Sequence, residues 1–223
     1  MAHDLFGHDA GSPLAGTRQR LGLEAIVLRG FALSRAPTLL SAVAAIREAA
    51  PCRHMTTPGG YVMSAALTNC GRLGWFSDEH GYRYTPCDPG SGLPWPTMPD
   101  CFLALAREAA QAAGFGQYTP DVCLINSYAP GARMSLHQDK DERDHTAPIV
   151  SVSLGIPCLF LFGGNQRGDR PARVPLFHGD VVVWGGADRL RYHGVAPIPE
   201  ATHPLLGNQR INLTFRQTGL EEG

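Results

Sequence analysis

His137-Gln138-Asp139 sets an imidazole and a carboxylate two residues apart. Alternate side chains of an extended strand share a face, so both could enter one cavity. A further histidine from another strand, such as His193, would give two imidazoles and one carboxylate on a single octahedral face. Three protein ligands leave three positions open, which suits a non-haem Fe(II) that must also bind a co-substrate and dioxygen. An H-x-D triplet alone is a weak signal. The competing reading makes His137 a turn residue and His193 a surface histidine.

A second pattern lies in Arg210-Ile211-Asn212-Leu213-Thr214-Phe215-Arg216, where polar and apolar residues alternate without a break. As a strand it carries Arg210, Asn212, Thr214 and Arg216 on one face and Ile211, Leu213 and Phe215 on the other. Two buried guanidinium groups would be costly unless they held an anion. A small dicarboxylate would answer them, because arginine pairs with carboxylates bidentately. The alternative is an edge strand with a solvent-facing polar stripe. Asn126-Ser127-Tyr128 again sets an amide and a phenol on one strand face, both able to hydrogen-bond a carboxylate.

The elements that must position these residues are mostly strands. The 223 residues include 26 glycines and 18 prolines, well above the usual share, which favours short strands and tight turns over a helix bundle. From residue 121 onward, DVCLINSYA, PIVSVSLG, PCLFLFG, ARVPLFH, DVVVWG, RYHGVAP and QRINLTFRQ follow one another between Gly, Pro and Asp. Seven or more short strands at this spacing predict a sandwich or barrel. The first half predicts a strand within 23–33, a helix over 37–49, strands over 61–70 and 80–85, an irregular loop over 86–99 and a helix over 100–113. Pro37 suits a first helical turn, and Gly114 a helix stop. The fold class is thus mainly β with flanking helices.

Charge and composition exclude several classes. A net charge of -1 does not describe a polycationic nucleic-acid binder, although the 19 basic residues include only one lysine, Lys140. No apolar run is long enough for a membrane span. The N-terminus carries acids where a secretory signal carries bases, which reads as cytoplasmic. Six cysteines without a C-x-x-C pair suit neither a zinc site nor a disulfide framework.

Three stretches, TNCGRLGW (68–75), LINSYAPGARMSLHQDKDE (124–142) and RINLTFR (210–216), closely resemble the AlkB family of iron- and 2-oxoglutarate-dependent dioxygenases, its bacterial DNA-repair members in particular. The resemblance runs from about residue 21 to 217, and the 124–142 segment is far more specific than any H-x-D. It implies a double-stranded β-helix (jelly-roll) core with an N-terminal nucleotide-recognition lid. It also implies the cofactor set of Fe(II), 2-oxoglutarate and O2. By resemblance His137, Asp139 and His193 are the iron ligands, and Asn126, Tyr128, Arg210, Asn212 and Arg216 hold 2-oxoglutarate. Trp75, Tyr82, Arg83 and Tyr84 lie in the lid near the damaged base, and Asp141 and Arg167 match substrate-contacting positions.

The organisation expected is a flexible arm over 1–20, a single dioxygenase domain over 21–217 and a tail over 218–223. Within that domain the lid covers about 55–99 and the jelly-roll core about 121–217. The implied activity is oxidative demethylation of N-alkylated bases of the 1-methyladenine and 3-methylcytosine type, in DNA and with RNA as a second candidate substrate. The implied protein is a monomer acting on a flipped or single-stranded base. The alternatives are a non-catalytic nucleic-acid-binding jelly roll, and a 2-oxoglutarate dioxygenase acting on protein or a small molecule.

Overall fold

The computed structural model describes residues 14–221. Thirteen strands and two α-helices occur among them in the order β1 (Arg18–Arg20), β2 (Ala25–Leu28), α1 (Ala36–Ala49), β3 (Ala66–Gly71), β4 (Gly74–Asp78), β5 (Gly81–Thr85) and α2 (Asp100–Ala112). There follow β6 (Val122–Tyr128), β7 (Met134–His137), β8 (Ile149–Gly155), β9 (Cys158–Phe162), β10 (Ala172–Leu176), β11 (Val181–Trp184), β12 (His193–Val195) and β13 (Arg210–Arg216). Seven strands form one sheet in the order β1-β2-β11-β8-β13-β6-β3, and four form a second in the order β10-β9-β12-β7. A separate hairpin, β4–β5, stands outside both.

The large sheet is buried on both sides, so β8, β11 and β13 read as strands with no exposed face. On its outer side Val150, Val152, Leu154, Ile211, Leu213 and Phe215 meet Leu39, Val43 and Ile46 of α1 and Phe102, Leu105 and Ala109 of α2. The helical spacing of those side chains turns one stripe of each helix onto the sheet. Phe102 meets Phe215 edge to face at 5.7 Å. The inner side faces the four-stranded sheet. There Val182, Trp184, Phe160, Phe162, Val174 and Leu176 fill one end with apolar packing. The other end is left to polar side chains and a cavity.

Several boundaries differ from the sequence expectation. The flexible arm was to reach residue 20, yet Arg18–Arg20 pair with β2 as an edge strand; residues 1–13 of that arm lie outside the described residues. The tail was to begin at 218, yet Thr218 is fully buried and its hydroxyl donates to Asp121 at 2.6 Å. Leu220 accepts from Arg72 at 2.6 Å, so the chain stays pinned to that point. β4 was unanticipated, because two glycines flank a stretch without clean alternation. No helix among the described residues is long and apolar enough to cross a membrane.

Candidate active site

Strand pairing brings the two histidines together. His193 of β12 lies directly opposite His137 of β7. Cross-strand neighbours on one face are near enough to touch, and the two rings sit 4.4 Å apart between centroids. Gly194 permits this approach, since a Cβ there would fall 2.6 Å from the Met134 carbonyl. Asp139 arrives differently from the expectation. β7 ends at His137, so Asp139 shares no strand face with it but lies in the irregular segment beyond. Its Oδ1 is nevertheless 3.5 Å from His137 Nε2, and its Oδ2 is 3.6 Å from His193 Nε2. One ligand atom from each residue falls within 4.8 Å of the others.

Each imidazole is held by its far nitrogen. His137 Nδ1 lies 2.9 Å from the Ser135 carbonyl, and His193 Nδ1 lies 3.0 Å from the Arg191 carbonyl. A carbonyl only accepts, so Nδ1 carries the proton and Nε2 offers its lone pair to the shared space. Burial, reinforced by His137, depresses His193 and keeps it a neutral ligand. Burial would raise the Asp139 carboxyl, but Arg216 and the two histidines outweigh it and hold the group well below the ordinary carboxylate range. Asp139 Oδ2 is buried without a hydrogen-bond partner. An ionised oxygen facing two imidazole lone pairs in a buried site calls for a cation, and a divalent metal fits.

β13 supplies the second half of the site. It is a central strand between β6 and β8, which removes the solvent-facing alternative. Its polar face, Arg210, Asn212, Thr214 and Arg216, turns inward and lines a cavity of about 1030 Å³ that also reaches the His137, Asp139 and His193 side chains. Arg210 is 2% exposed, lies 4.9 Å from the Tyr128 ring and donates to Ser153 at 3.1 Å. Its Nε and Nη1 have no partner. Tyr128 is pushed up to about 12 by burial, so its phenol stays protonated, and its hydroxyl donates to the Met134 sulfur at 3.8 Å. A buried guanidinium with two unanswered donors beside an underused phenol fits a carboxylate. Asn126 lines the same wall with its Oδ1 unpartnered. Asn212 lines it too, but its amide is engaged by Ser151 at 2.8 Å and Thr214 at 2.9 Å.

Arg216 does more than line the cavity. Its Nη2 is 2.8 Å from Asp139 Oδ1, its Nη1 donates to the Tyr84 hydroxyl at 3.0 Å, and its Nε is 3.5 Å from Glu142. Tyr84 donates in turn to Glu142. Glu142 also pairs at 3.0 Å with Arg189, which donates to the Asp139 carbonyl at 2.6 Å and the Ala147 carbonyl at 3.1 Å. Sequence reasoning missed Arg189 and the bracing part of Glu142. Neither falls in an alternating pattern, and only their contacts in space reveal them. It also missed Trp184, whose ring lies 4.9 Å from His193 and walls the cavity.

The β4–β5 hairpin stands at the mouth. Trp75 and Tyr82 stack at 5.5 Å and both line the cavity. Trp75 Nε1 donates to Asp141 Oδ2 at 3.2 Å, which places Asp141 at the opening as well. Arg167, from the β9–β10 hairpin, lines the same opening. Arg83 does not join them. Alternation along β5 turns it to the far side, where it pairs with Asp78 at 2.7 Å and lies 5.1 Å from the Phe76 ring. Its expected place near the base is therefore corrected. Tyr84 points beneath the hairpin into the Arg216–Glu142 network rather than to the opening.

A jelly roll that presents two histidines, a carboxylate and a buried arginine with unanswered donors to one cavity has the features of a metal-dependent 2-oxoglutarate dioxygenase. Residues 24–216 match the family model of the 2OG-Fe(II) oxygenase superfamily, and the chain belongs to that superfamily and, within it, to the AlkB family. It is 53% identical over 205 residues to the alpha-ketoglutarate-dependent dioxygenase AlkB of Escherichia coli K12, covering 92% of this chain and 95% of that one. It is 52% identical to the protein of the same name from Salmonella typhimurium, covering 98% and 99%. Among solved structures, OsALKBH1 aligns with a TM-score of 0.79 at 27% identity, over 90% of this chain and all of that one. The enzymes of this family require Fe(II), 2-oxoglutarate and O2.

Proposed function

We propose that this chain oxidatively demethylates N-alkylated nucleobases of the 1-methyladenine and 3-methylcytosine type, in DNA and also in RNA. The observation that carries the reading is one shared cavity. Its floor holds the candidate metal ligands and the unanswered Arg210, and its mouth presents the Trp75–Tyr82 stack beside Asp141. An aromatic face and a carboxylate together suit a flat, cationic, methylated base better than a peptide.

His137, Asp139 and His193 would hold the iron, and Arg210 with Tyr128 would take the distal carboxylate of 2-oxoglutarate. Asn126 lines the same wall, while Asn212 braces it from Ser151. Arg216 keeps the Asp139 carboxylate ionised and oriented and offers the remaining cation near the co-substrate. Bound together, Fe(II) and 2-oxoglutarate supply dioxygen activation with loss of carbon dioxide and formation of succinate. Trp75 and the His137 ring offer faces to the base, and Trp184 with Phe160 keeps the inner end apolar. The N-methyl group, once hydroxylated, collapses to formaldehyde and the restored base. A methyl group on a base edge is out of reach in a duplex, so the base enters flipped or from a single strand. In this reading 55–99 acts as the recognition lid, and the enzyme works as a cytoplasmic monomer.

The test is mass spectrometry of oligonucleotides carrying one 1-methyladenine or 3-methylcytosine after incubation with Fe(II), 2-oxoglutarate and ascorbate. Loss of the methyl mass with matching succinate and formaldehyde is the expected result. Succinate formation without any change in the oligonucleotide would overturn the substrate class.

A further inference from the structure

Eight of the 18 arginines are answered by carboxylates. Arg29, Arg35, Arg53, Arg72, Arg83, Arg189, Arg191 and Arg216 each sit in an ion pair. The β9–β10 hairpin gathers three that are not. Arg167, Arg170 and Arg173 are exposed, and no hydrogen bond or ion pair engages their guanidinium groups among the described residues. The one acid of the tip, Asp169, is engaged within the hairpin itself. Its Oδ2 accepts from the Gln166 N–H at 3.0 Å, and it packs so closely on Gly164 that a Cβ there would meet it at 2.0 Å.

The hairpin is fixed at its base. Gly163 N–H donates to the Tyr192 carbonyl at 2.7 Å, Tyr192 N–H returns a bond to Gly164 at 2.9 Å, and Arg191 lies 4.5 Å from the Phe162 ring. The three cations are thus presented on a built support. Arg167 stands at the cavity opening, and Arg173 lies on β10, the outer edge of the four-stranded sheet. Three exposed like charges within seven residues repel one another, and a polyanion laid along them relieves that repulsion.

We infer that Arg170 and Arg173 continue outward from Arg167 as a track for the phosphodiester backbone flanking the base in the cavity. The inference rests on the nucleic-acid reading given above. The track carries affinity without sequence preference, because phosphates hold no base information.

The test measures binding of a methylated single-stranded DNA of about 15 nucleotides across a salt series, anaerobically with Fe(II) and 2-oxoglutarate, where each lost phosphate contact flattens the log-log slope by about 0.7. Arg170→Ala with Arg173→Ala should flatten it by about 1.4, and the two lysine replacements should restore it, since a point charge suffices. The alanine pair should lower kcat/KM on the long strand and leave a methylated trinucleotide unaffected. An unchanged slope, or equal loss on both lengths, overturns the inference while wild-type demethylation stands. Wild-type protein that binds the strand but never demethylates it overturns the proposed activity instead, and the slope still decides the track.

Discussion

Nη2 of Arg216 lies 2.8 Å from Oδ1 of Asp139. One guanidinium therefore touches a candidate metal ligand while lining the cavity that would receive 2-oxoglutarate. Arg210 has no such double contact, because its nearest side-chain bond is to Ser153. The two arginines of β13 should consequently fail in different ways.

Arg210→Ala is expected to raise the 2-oxoglutarate KM by about ten- to a hundredfold, the equivalent of losing roughly 1.5–3 kcal/mol of charge-assisted bonding. Its Fe(II) affinity should stay near wild type. Arg216→Ala should weaken both. Iron titration and 2-oxoglutarate saturation curves on each variant separate the cases, and matching behaviour in the two would refute the division of labour.

Asp139→Ala should abolish formaldehyde release and sharply reduce Fe(II) retention. Among the described residues no other carboxylate faces both imidazoles; Glu142, the nearest acid in the network, is taken up by Arg189, Tyr84 and Arg216. Near-normal turnover by the purified variant would sink the ligand assignment.

Asp141→Asn is expected to narrow the preference for cationic over neutral lesions. Methylation of adenine at position 1 or cytosine at position 3 fixes a positive charge, whereas methylation of guanine at position 1 does not. Opposite charges ~4 Å apart at an effective dielectric near 20 attract by about 4 kcal/mol before desolvation, so a net preference of ~1–2 kcal/mol is expected. The kcat/KM ratio for the two lesion types, in wild type and variant, reads the effect. Equal loss on both would mean that Asp141 serves only to hold the Trp75 indole.

Stability should fall on acidification through His178. Its Nδ1 accepts the Gly155 N–H at 3.0 Å, and its ring lies 4.4 Å from His203. Burial, helped by His203, pushes it from 6.5 down to about 4. Between those values the unfolded chain takes up a proton that the folded one refuses, so stability present above pH 6.5 is lost as pH falls toward 4. His178→Gln should flatten that slope. Denaturant midpoints at neutral and mildly acidic pH for both proteins give the answer, and parallel losses would count against the assignment.

Much of this was legible from period-two patterning. Alternation in 210–216 told which side chains of β13 share a face, though not that both faces are buried, since that depends on β6 and β8 arriving from far away in sequence. His137 and His193 were legible as types, while their opposition required the β7–β12 register. Asp139 was placed in the cavity by the wrong reason, a strand that stops two residues early. Arg83 was misplaced because the segment reads the same from either side until the hairpin register fixes it opposite Phe76. Glu142 and Arg189 were illegible because a buried ion pair 47 residues apart leaves no local periodic trace.

β13 is a party wall. Ile211, Leu213 and Phe215 belong to the helix-backed core, and the residues between them belong to the cavity. Trimming Leu213 to alanine would be felt on the far side of the same backbone, beyond the roughly 2–5 kcal/mol lost from packing. Conversely, a dicarboxylate seated on Arg210 would stiffen the strand against which both helices rest. Co-substrate supply would then register as mechanical firmness: the enzyme would be hardest to melt when 2-oxoglutarate is plentiful, and most open to proteolysis when it is scarce.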